Sequence, residues 1–570
     1  MKLNNFEIVV ELMKKNNIRH IVISPGGTNI PFVKMVQSDD FFTCYSVVDE
    51  RSAVYFAIGL YLQTGEIIAM SCTSAQATRN YIPGLTEAFY KRVPILAITM
   101  SKHPRFTYQE YMQAPDQASI PNDCVKKSYT LPFIGDVNDV YHSIRIVNEA
   151  ICCLTSDGYG PVQLCIPRID FEISNEEPVI KNITVYNVEK EFNINLQRKK
   201  ILLVIGERRA FSQMEVEILE KFSRQHNVVI YTNHLSNYSG EYSLNGNLLL
   251  TTLKAKEFKK IYIPDILITI GGQTGDYPLY KLLSLPEMSS IDHWRIDEDG
   301  KIIDTYDKLT RVYKSSIVHF FNRVEPEDVV EHSYYEVWKS AIDKLDRDVE
   351  VPFSSVSIAQ YLSKHIPCNS TIQFSILNSL RIWELFDLDA SLKCFSNVAA
   401  FGIDGGLSTL IGQSFISNEK CFMIIGDLAF FYDMNAIGIR GIKNNVRILL
   451  VNNNGGIEFK LYGKSDNSID NYIAAANHFK NAEGWAETCG LKYLSAYSMD
   501  EFIEKSTEFI GEADRPILLE AFVSDIDESE AYFKILDANK NKNIAESLKS
   551  NIKNTLGQET LNKINRLRGV

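Results

Sequence analysis

The chain of 570 residues has ten cysteines but no CxxC pair among them. Several of these cysteines lie in apolar, strand-like runs, where a thiol behaves as a small hydrophobic side chain, so we expect no disulfide framework. The sequence also lacks any window of about 18 uncharged apolar residues, and its N-terminal helical pattern contains charges. We therefore expect a cytoplasmic protein without a transmembrane span or a signal peptide.

A positively charged binding surface is missing from the sequence as well. The formal net charge is −12, and no stripe of lysine and arginine alternates with aromatic residues, which argues against a nucleic-acid partner. With 45% hydrophobic and 23% charged residues, the composition is that of a globular protein. A chain of this length predicts about three or four domains.

Short apolar runs alternate with helical patterns along the chain. Examples are HIVIS and EIIAMSC near the start, ILLVIG and DILITIGG in the middle, and CFMIIGD and RILLVNN later. This alternation is typical of parallel sheets covered by helices on both faces. We predict an α/β protein of three doubly wound parallel-sheet domains at residues 1–180, 195–345 and 353–535. A linker is predicted near residues 172–200, and a helical tail, either solvated or binding a partner, at 536–570.

Two of the predicted strands end in residues suited to binding a hard cation. Asp427 ends CFMIIGD, and VNNNGG, residues 451–456, ends RILLV. One helix, over DMNAIGIRGIK, and one strand are predicted between them, which returns Asp427 and Asn454 to one rim of the sheet. Gly455 and Gly456 allow the backbone to turn a carbonyl inward. This spacing predicts Mg²⁺ bound by Asp427, Asn454, the Gly456 carbonyl, water and a diphosphate; the alternative is a strand-end aspartate beside a polar turn.

The segment from GDLAFFYDMNAI to VNNNGG resembles the signature of thiamine diphosphate enzymes. Within that superfamily it is similar to the 2-succinyl-5-enolpyruvyl-6-hydroxy-3-cyclohexene-1-carboxylate synthases, the carboligases of menaquinone biosynthesis. The resemblance covers most of the first and third predicted domains and is weak in the middle one, which usually has no catalytic role in this superfamily. It implies thiamine diphosphate and Mg²⁺ as cofactors. It also implies which residues hold them: Gly426, Asp427, Leu428, Asn454 and Gly456.

An acid, Glu50, lies between an apolar strand and a small-residue helix in VVDERSAVYFAIGLY, which resembles a motif of the same family. Thiamine diphosphate must lose a thiazolium proton before it attacks a 2-oxo acid, and a carboxyl group on the aminopyrimidine ring promotes that step. Such a group must be shielded from water so that its proton is shared. We therefore predict that Glu50 is the catalytic acid that activates the cofactor. The alternative is a helix N-terminal acid favoured by the helix dipole.

Four further segments resemble the family. ISPGGTNIP and SCTSAQATRN are similar to two of its loops, and the second loop places Ser74 at the cofactor. PDQAS places Gln117 near the reacting centre, as a second catalytic residue. SNVAAFGIDGGLSTLIG places Ile403 under the cofactor as the apolar residue that keeps it bent; the alternative is an ordinary core isoleucine.

The departures from the family pattern lie on the substrate side. The resemblance implies 2-oxoglutarate and isochorismate as substrates, whose carboxylates suit arginine. One arginine of the family is lost within Gly27, Thr28 and Asn29, and another is replaced by Val398. Glu458 stands where the family has an apolar residue. Because an unpaired buried charge is costly, we expect a homologue with a different donor or acceptor.

Six residues are candidates for contacting the substrates. Arg79, Lys102 and His103 would hold the carboxylate of the donor, or else be surface or structural residues. Glu458 would donate a proton to the carbanion, bind a polyol or amine acceptor, or be a solvent-facing loop acid. The full set is Thr28, Asn29, Arg79, Lys102, His103 and Glu458.

The resemblance implies a thiamine diphosphate carboligase that decarboxylates a 2-oxo acid and transfers the acyl group to an acceptor. It also implies a homodimer, or a dimer of dimers, with active sites at the subunit interface, so that Glu50 and Asp427 of one site come from different chains. Other hypotheses stay open: a simple decarboxylase that releases an aldehyde, a non-catalytic member of the fold used for assembly or binding, and a plain nucleotide-binding α/β protein. An oxidase would need FAD, and the middle domain has no clear dinucleotide fingerprint.

Overall fold

The computed structural model describes residues 3–168, 180–187, 194–458 and 477–540. It contains three large parallel sheets, named I, II and III in chain order. Each sheet together with the helices that connect its strands is called the sheet I, sheet II or sheet III unit. Every strand pair within them is parallel, and helices connect the strands. The predicted α/β fold of several doubly wound parallel sheets is thus confirmed. The exact domain boundaries remain predictions.

Sheet I has the strand order β2-β1-β3-β4-β6-β5. Its strands are β1 (His20–Ile23), β2 (Thr43–Ser46), β3 (Ile68–Cys72), β4 (Ile95–Lys102), β5 (Lys127–Thr130) and β6 (Val162–Arg168). Its helices are α1 (Asn5–Lys15), α2 (Ile30–Gln37), α3 (Glu50–Thr64), α4 (Gln76–Asn80), α5 (Ile82–Lys91) and α6 (Val137–Cys153). The central strands β3 and β4 are almost fully buried, as their uninterrupted apolar runs predict.

Capping residues fix where helix α3 begins and ends. The Asp49 side chain accepts a hydrogen bond from the Ser52 amide at 3.2 Å, which satisfies one free donor of the first turn. Gly65 ends the helix with φ +72°, a conformation that glycine adopts without strain. Glu50, the first residue of α3, is therefore held at the junction that follows β2.

Sheet II has the strand order β11-β10-β9-β12-β13-β14-β7, and β8 pairs separately with β15. The strands are β7 (Thr184–Asn187), β8 (Ile194–Asn195), β9 (Ile201–Ile205), β10 (Val228–Thr232), β11 (Ser243–Asn245), β12 (Ile266–Ile270), β13 (Asp292–Asp297), β14 (Leu309–Lys314) and β15 (Val324–Glu325). The helices are α7 (Gln213–Gln225), α8 (Asn247–Thr252), α9 (Ala255–Glu257), α10 (Tyr277–Leu283), α11 (Ile317–Phe321) and α12 (Ser333–Ile342). Strand β7 lies inside the predicted linker and extends the edge of this sheet.

Sheet III has the strand order β17-β16-β18-β19-β21-β20, which is the order of sheet I repeated. Its strands are β16 (Thr371–Phe374), β17 (Lys393–Ser396), β18 (Cys421–Gly426), β19 (Val446–Asn452), β20 (Lys492–Ala496) and β21 (Ile517–Phe522). Its helices are α13 (Ser355–Leu362), α14 (Asn378–Trp383), α15 (Gly406–Ile416), α16 (Asp427–Tyr432), α17 (Glu483–Thr488), α18 (Met499–Ile510) and α19 (Asp525–Lys540).

The connection between β18 and β19 differs from the prediction. Helix α16 begins at Asp427 itself, and the predicted helix over DMNAIGIRGIK is only a short 3₁₀ turn at Met434–Gly438. Gly441, with φ +83°, interrupts the rest of that segment, because a left-handed residue cannot continue a helix. The prediction of a full helix was wrong, but β18 and β19 are adjacent and parallel as expected.

Helix α19 crosses the predicted start of the tail at residue 536. It packs into the core of the sheet III unit through Ala531, Tyr532, Ile535 and Leu536. The rest of the predicted tail, residues 541–570, lies outside the described residues. In the described part of the chain, no helix is both long enough and apolar enough to cross a membrane.

Candidate active site

A cavity of about 290 Å³ lies where the carboxyl ends of sheets I and III face each other. Its wall includes the loops that follow β1, β3, β16, β18 and β19. Parallel α/β sheets place their ligands at these ends, and the volume is near the lower limit of about 300 Å³ for small-molecule sites. Tyr277, from the sheet II unit, also lines this cavity, which was not expected of the middle domain.

Glu50 lies on the cavity wall and is only 6% exposed. Burial raises the pKa of its carboxyl group from 4.5 to about 7, although the hydrogen bond from Tyr432 lowers it. The raised pKa follows because burial disfavours the charged form of an acid. Glu50 is therefore a shielded acid that can hold or release a proton near neutral pH.

The Tyr432 hydroxyl connects Glu50 to a second polar side chain. It donates a hydrogen bond to Glu50 Oε2 at 2.5 Å and accepts one from Asn80 Nδ2 at 2.7 Å. Glu50 and Asn80 belong to the sheet I unit, whereas Tyr432 ends helix α16 of the sheet III unit. This chain of hydrogen bonds fixes the orientation of the Glu50 carboxyl group across the two units.

Asp427 follows β18 on the opposite part of the wall and is 2% exposed. Its Oδ2 accepts a hydrogen bond from the Gly455 amide at 3.0 Å and lies 3.0 Å from His478 Nε2. Its Oδ1 accepts a bond from the Leu428 amide at 2.7 Å. The strand ends of β18 and β19 thus meet as predicted, with Asp427 against the backbone of the glycine turn.

The asparagines of VNNNGG point in different directions. Asn454, with φ +65°, accepts a hydrogen bond from the Phe479 amide on its Oδ1 at 2.6 Å, and it does not line the cavity. Asn453 and Gly456 do line it. Asn452 donates to Glu520 Oε1 at 2.7 Å inside the sheet. Of the three predicted metal ligands, Asp427 and Gly456 are therefore on the wall and Asn454 is beside it.

Most of the residues predicted to bind the cofactor are on the wall. Gly426, Leu428, Ile403 and Ser74 all line the cavity. Ser74 is 3% exposed, and its hydroxyl has no hydrogen-bond partner among the described residues. A buried polar atom without a partner costs free energy, so this hydroxyl is suited to a polar ligand group.

Two predicted residues of sheet I do not reach the wall. Gln117 donates from Nε2 to Thr78 Oγ1 at 2.6 Å and to the Met100 carbonyl at 2.9 Å, which holds it inside the sheet I unit. Asn29 is fully buried and donates to the Ser24 carbonyl at 3.0 Å. The amide nitrogens of both are bonded inside the sheet I unit, whereas Gln117 Oε1 and Asn29 Oδ1 are buried without a hydrogen-bond partner among the described residues. Their catalytic and substrate roles therefore remain predictions.

The three predicted cations also lie away from the wall. Arg79 donates to the Asp116 carbonyl. The Lys102 Nζ atom lies 5.8 Å from the centre of the Tyr111 ring, and the His103 ring stacks on Phe133 at 4.5 Å. The structure therefore does not bring Arg79, Lys102 or His103 to the cavity. Thr28 does line it, with its hydroxyl 2.7 Å from that of Thr73.

Glu458 lines the cavity and is bound by an arginine that the sequence did not single out. Arg381 Nη1 lies 2.7 Å from Glu458 Oε2, and Nη2 lies 3.3 Å from Oε1. Side-chain exposure is 9% for Arg381 and 26% for Glu458. Glu458 is therefore not a solvent-facing loop acid.

Sequence reasoning missed five residues of the site: Asn80, Tyr277, Arg381, Tyr432 and His478. Tyr432 could have been found, because it ends the helix that Asp427 begins. Asn80 could have been found as well, because it ends SCTSAQATRN, a segment that resembles a loop of the family. Tyr277, Arg381 and His478 come from segments without a recognisable motif, and only the fold brings them to the site.

Comparison with known proteins shows the family of the chain. Residues 3–120 match the family model of the thiamine pyrophosphate enzymes, N-terminal TPP binding domain. The 2-succinyl-5-enolpyruvyl-6-hydroxy-3-cyclohexene-1-carboxylate synthase of Bacteroides thetaiotaomicron is 30% identical over 537 residues, which cover 90% of this chain and 95% of that protein. That of Phocaeicola vulgatus is 31% identical over 552 residues, covering 94% and 98%. The chain belongs to this family of thiamine pyrophosphate-dependent enzymes. The more distant synthase of Flavobacterium johnsoniae is 27% identical over 557 residues, covering 93% and 98%.

The prediction of a thiamine diphosphate-dependent transferase is therefore confirmed at the level of the family. The residues of the cavity also fit that cofactor. Glu50 is a shielded carboxyl group, the Ser74 hydroxyl is buried without a partner, and Asp427 adjoins a glycine turn. A carboxylate and a backbone carbonyl are oxygen donors, which Mg²⁺ prefers. Asn454 is bonded to Phe479 instead, so its place in a metal shell remains a prediction.

Proposed function

We propose that this protein is a thiamine diphosphate- and Mg²⁺-dependent carboligase. It would decarboxylate a 2-oxo acid and transfer the acyl group to a second substrate. The observation that carries the proposal is that Glu50 and Asp427 line the same cavity at the strand ends. A shielded acid and an oxygen donor for a metal are the two features that the cofactor needs at its two ends.

Glu50 supplies the acid chemistry in this proposal. When bound, thiamine diphosphate supplies a nucleophilic carbon and an electron sink for decarboxylation. Glu50 holds a proton at its carboxyl group and shares it with the cofactor ring, because its pKa lies near neutral pH. Tyr432 and Asn80 keep the carboxyl group in one orientation, and Ile403 contributes an apolar side chain to the same cavity wall.

Asp427 and the Gly456 carbonyl would hold the Mg²⁺ ion and through it the diphosphate. The Leu428 amide keeps one oxygen of the Asp427 carboxylate in place, and the Gly455 amide and His478 contact the other. Residues that orient a metal ligand raise its affinity for the ion. His478 is therefore proposed to position Asp427.

The substrates are proposed to differ from those of the relatives. The name of the relatives describes a product with succinyl, enolpyruvyl and carboxylate groups. The loop at Thr28 and the position of Val398 carry no arginine in this chain, and the cations Arg79, Lys102 and His103 lie off the wall. A product with several carboxylates would lack the paired arginines that such groups need.

The test measures CO2 release from a panel of 2-oxo acids with Mg²⁺ and thiamine diphosphate present. We expect release from at least one acid by the wild type and a loss of about 100-fold or more in Glu50→Gln, since general acid–base groups contribute about that much. Glu207→Gln is the matched control, because burial also raises the pKa of Glu207, which follows β9 in sheet II and does not line the cavity. Equal rates in Glu50→Gln and the wild type would contradict the proposal.

The products of the same assay separate the other hypotheses. An aldehyde formed in proportion to CO2, with or without an acceptor, would indicate a simple decarboxylase. Cofactor binding without release from any acid would favour a non-catalytic member of the fold.

We also propose that two chains associate. The outer face of α3 exposes Tyr55, Phe56 and Leu62, which are 47%, 42% and 67% exposed, and a second copy would cover them. In the single chain, Glu50 and Asp427 line one cavity, whereas the resemblance implies a site shared between chains. Mixing Glu50→Gln chains with Asp427→Asn chains decides between the two: recovered activity would show shared sites, and no recovery would show that each chain builds its own.

A further inference from the structure

A cluster of four side chains lines or supports one end of the cavity. Tyr277 comes from the sheet II unit, Arg381 from α14, Phe401 from the loop before α15, and Glu458 from the segment after VNNNGG. The Tyr277 and Phe401 rings meet edge to face at 5.9 Å, and the Arg381 guanidinium lies 5.2 Å from the centre of the Tyr277 ring. Four separate segments of the chain therefore build this end of the wall together.

The Arg381 guanidinium is already engaged by the protein's own carboxylate. Both terminal nitrogens contact Glu458, at 2.7 Å and 3.3 Å, and Nη1 also donates to Asn378 Oδ1 at 3.1 Å. This is the two-point geometry in which arginine binds a carboxylate. Glu458 occupies one donor on each terminal nitrogen, so a carboxylate of a substrate would compete with Glu458 for two-point binding to Arg381.

The rest of the wall adds negative charge. Four carboxyl groups line the cavity, and among the described lining residues there is no lysine, arginine or histidine: the four are Glu50, Asp404, Asp427 and Glu458. Glu50 and Asp427 have proposed roles toward the cofactor and the metal, which leaves Asp404 and Glu458 among the carboxyl groups that line the cavity. A negatively charged substituent in the cavity would meet like charges, which disfavours its binding.

We infer that the Glu458–Arg381 pair makes this end of the cavity selective for 2-oxo acids that carry no second carboxylate. This inference rests on the proposed function. Every 2-oxo acid brings one carboxylate, which leaves as CO2, whereas a second carboxylate stays and faces Glu458. The pair thus acts as a specificity determinant in two ways. Glu458 repels the second carboxylate, and it occupies the Arg381 guanidinium, which would otherwise bind that carboxylate.

The test compares 2-oxopentanoate with 2-oxoglutarate, which have the same chain length and differ by a methyl group against a carboxylate. Affinity for the enzyme loaded with Mg²⁺ and thiamine diphosphate is measured by calorimetry, and CO2 release gives kcat/KM for each acid. We expect the wild type to favour 2-oxopentanoate by about tenfold or more, and Glu458→Gln to reduce that ratio by about tenfold, because it frees Arg381 for the second carboxylate.

Two further variants keep this test specific. Arg381→Met combined with Glu458→Gln removes the whole pair, leaves no unpaired charge, and should not gain affinity for 2-oxoglutarate. Glu512→Gln removes one carboxylate that is paired with Lys420, which precedes the amino-terminal end of β18, and it should leave the ratio unchanged. Thermal unfolding of each variant checks that it is folded.

The outcomes separate this inference from the proposed function. A wild type that binds and decarboxylates 2-oxoglutarate as well as 2-oxopentanoate would overturn the selectivity but leave the proposed function intact. If the ratio of kcat/KM for 2-oxopentanoate and 2-oxoglutarate is the same in Glu458→Gln as in the wild type, the Glu458–Arg381 pair does not determine the selectivity. Failure of the loaded enzyme to bind either acid would overturn the selectivity, whereas the proposed function would be overturned only if the wild type released CO2 from no acid of the panel.

Discussion

At the scale of single residues, the chemistry of the site depends on which carboxyl groups are buried and on what contacts them. Glu50 has no basic partner among its hydrogen bonds: its carboxyl group accepts a bond from the neutral Tyr432 hydroxyl. Asp49 and Asp404 nearby raise the Glu50 pKa further. A group in this environment is stable when protonated and costly when ionised, which suits an acid that must exchange a proton.

The Glu50 pKa predicts how the stability of the protein without cofactor depends on pH. The folded-state pKa of about 7 exceeds the ordinary value of 4.5, which we take for the unfolded state. Between pH 4.5 and pH 7, the folded state therefore binds more protons than the unfolded state does. The stabilisation from protonated Glu50 is therefore present below pH 4.5 and lost as the pH rises to about 7, a change of about 3 kcal/mol. Glu50→Gln should become more stable than the wild type by about this amount at pH 7.5 and above.

Chemical denaturation of both proteins across this pH range measures the difference. The comparison with Glu50→Gln is needed because other buried acids, such as Glu528, titrate in the same range and contribute equally to both proteins. A difference in the free energy of unfolding that does not change between pH 4.5 and 7.5 would contradict the assignment of a raised Glu50 pKa.

At the scale of elements, the position of Glu50 depends on how α3 packs against α5. A Cβ atom added to Gly84 in α5 would lie 2.4 Å from Cβ of Val54 in α3, so the two helices approach at this glycine. We expect Gly84→Ala to separate them and to lower the free energy of unfolding by about 1–3 kcal/mol. Displacing α3 should also reduce cofactor-dependent activity, because Glu50 is its first residue.

Gly412→Ala is the matched control for this prediction. Gly412 lies within α15, away from the exposed face of α3, and a Cβ atom there would meet nothing within 4 Å. This substitution should be neutral or stabilise the helix by about 0.5–1 kcal/mol, because alanine loses less backbone entropy than glycine. If urea denaturation shows the same effect for both substitutions, the close contact at Gly84 is not what positions α3. Restoration of stability by Val54→Ala in the Gly84→Ala protein would support it.

The elements themselves could largely be predicted from the sequence, because buried parallel strands leave uninterrupted apolar runs such as ILLVI at β9 and CFMII in β18. The segment after Tyr432 could not be predicted, because its apolar spacing is helical but its glycines interrupt a helix. Strand β7 was also missed, because it lies in a polar stretch of the sequence. In the site, Asp427 could be found because it directly follows a strand, and Glu50 because it lies at the junction of an apolar strand and a small-residue helix. Arg381 and Tyr277 could not, because an ion pair or ring contact between distant segments leaves no local pattern.

At the scale of the whole molecule, sheets I and III share one strand order and face each other across the cavity. Helix α3 is apolar on its inner and its outer face, and its outer face is exposed in the single chain. A helix that is apolar on all sides is usually buried, which supports the proposed association of two chains.

Leu62→Glu tests that association. The Leu62 side chain is 67% exposed in the single chain, so a charge there should cost the monomer little, but it should weaken a dimer by about tenfold or more in Kd. Light scattering over a dilution series measures the mass of each species. Val329→Glu adds the same charge at another exposed apolar position, 71% exposed, and should not change the mass. A wild type that is monomeric at all concentrations would contradict the proposed dimer.

The central claim is that the cavity between Glu50 and Asp427 binds thiamine diphosphate through a divalent metal ion. A calorimetric titration of the protein with thiamine diphosphate, with and without Mg²⁺, tests it most directly. We predict one cofactor bound per chain, an affinity that depends on Mg²⁺, and loss of that dependence in Asp427→Ala while Glu50→Gln still binds. Absence of binding by the wild type, or binding with the same affinity in Asp427→Ala, would contradict this account.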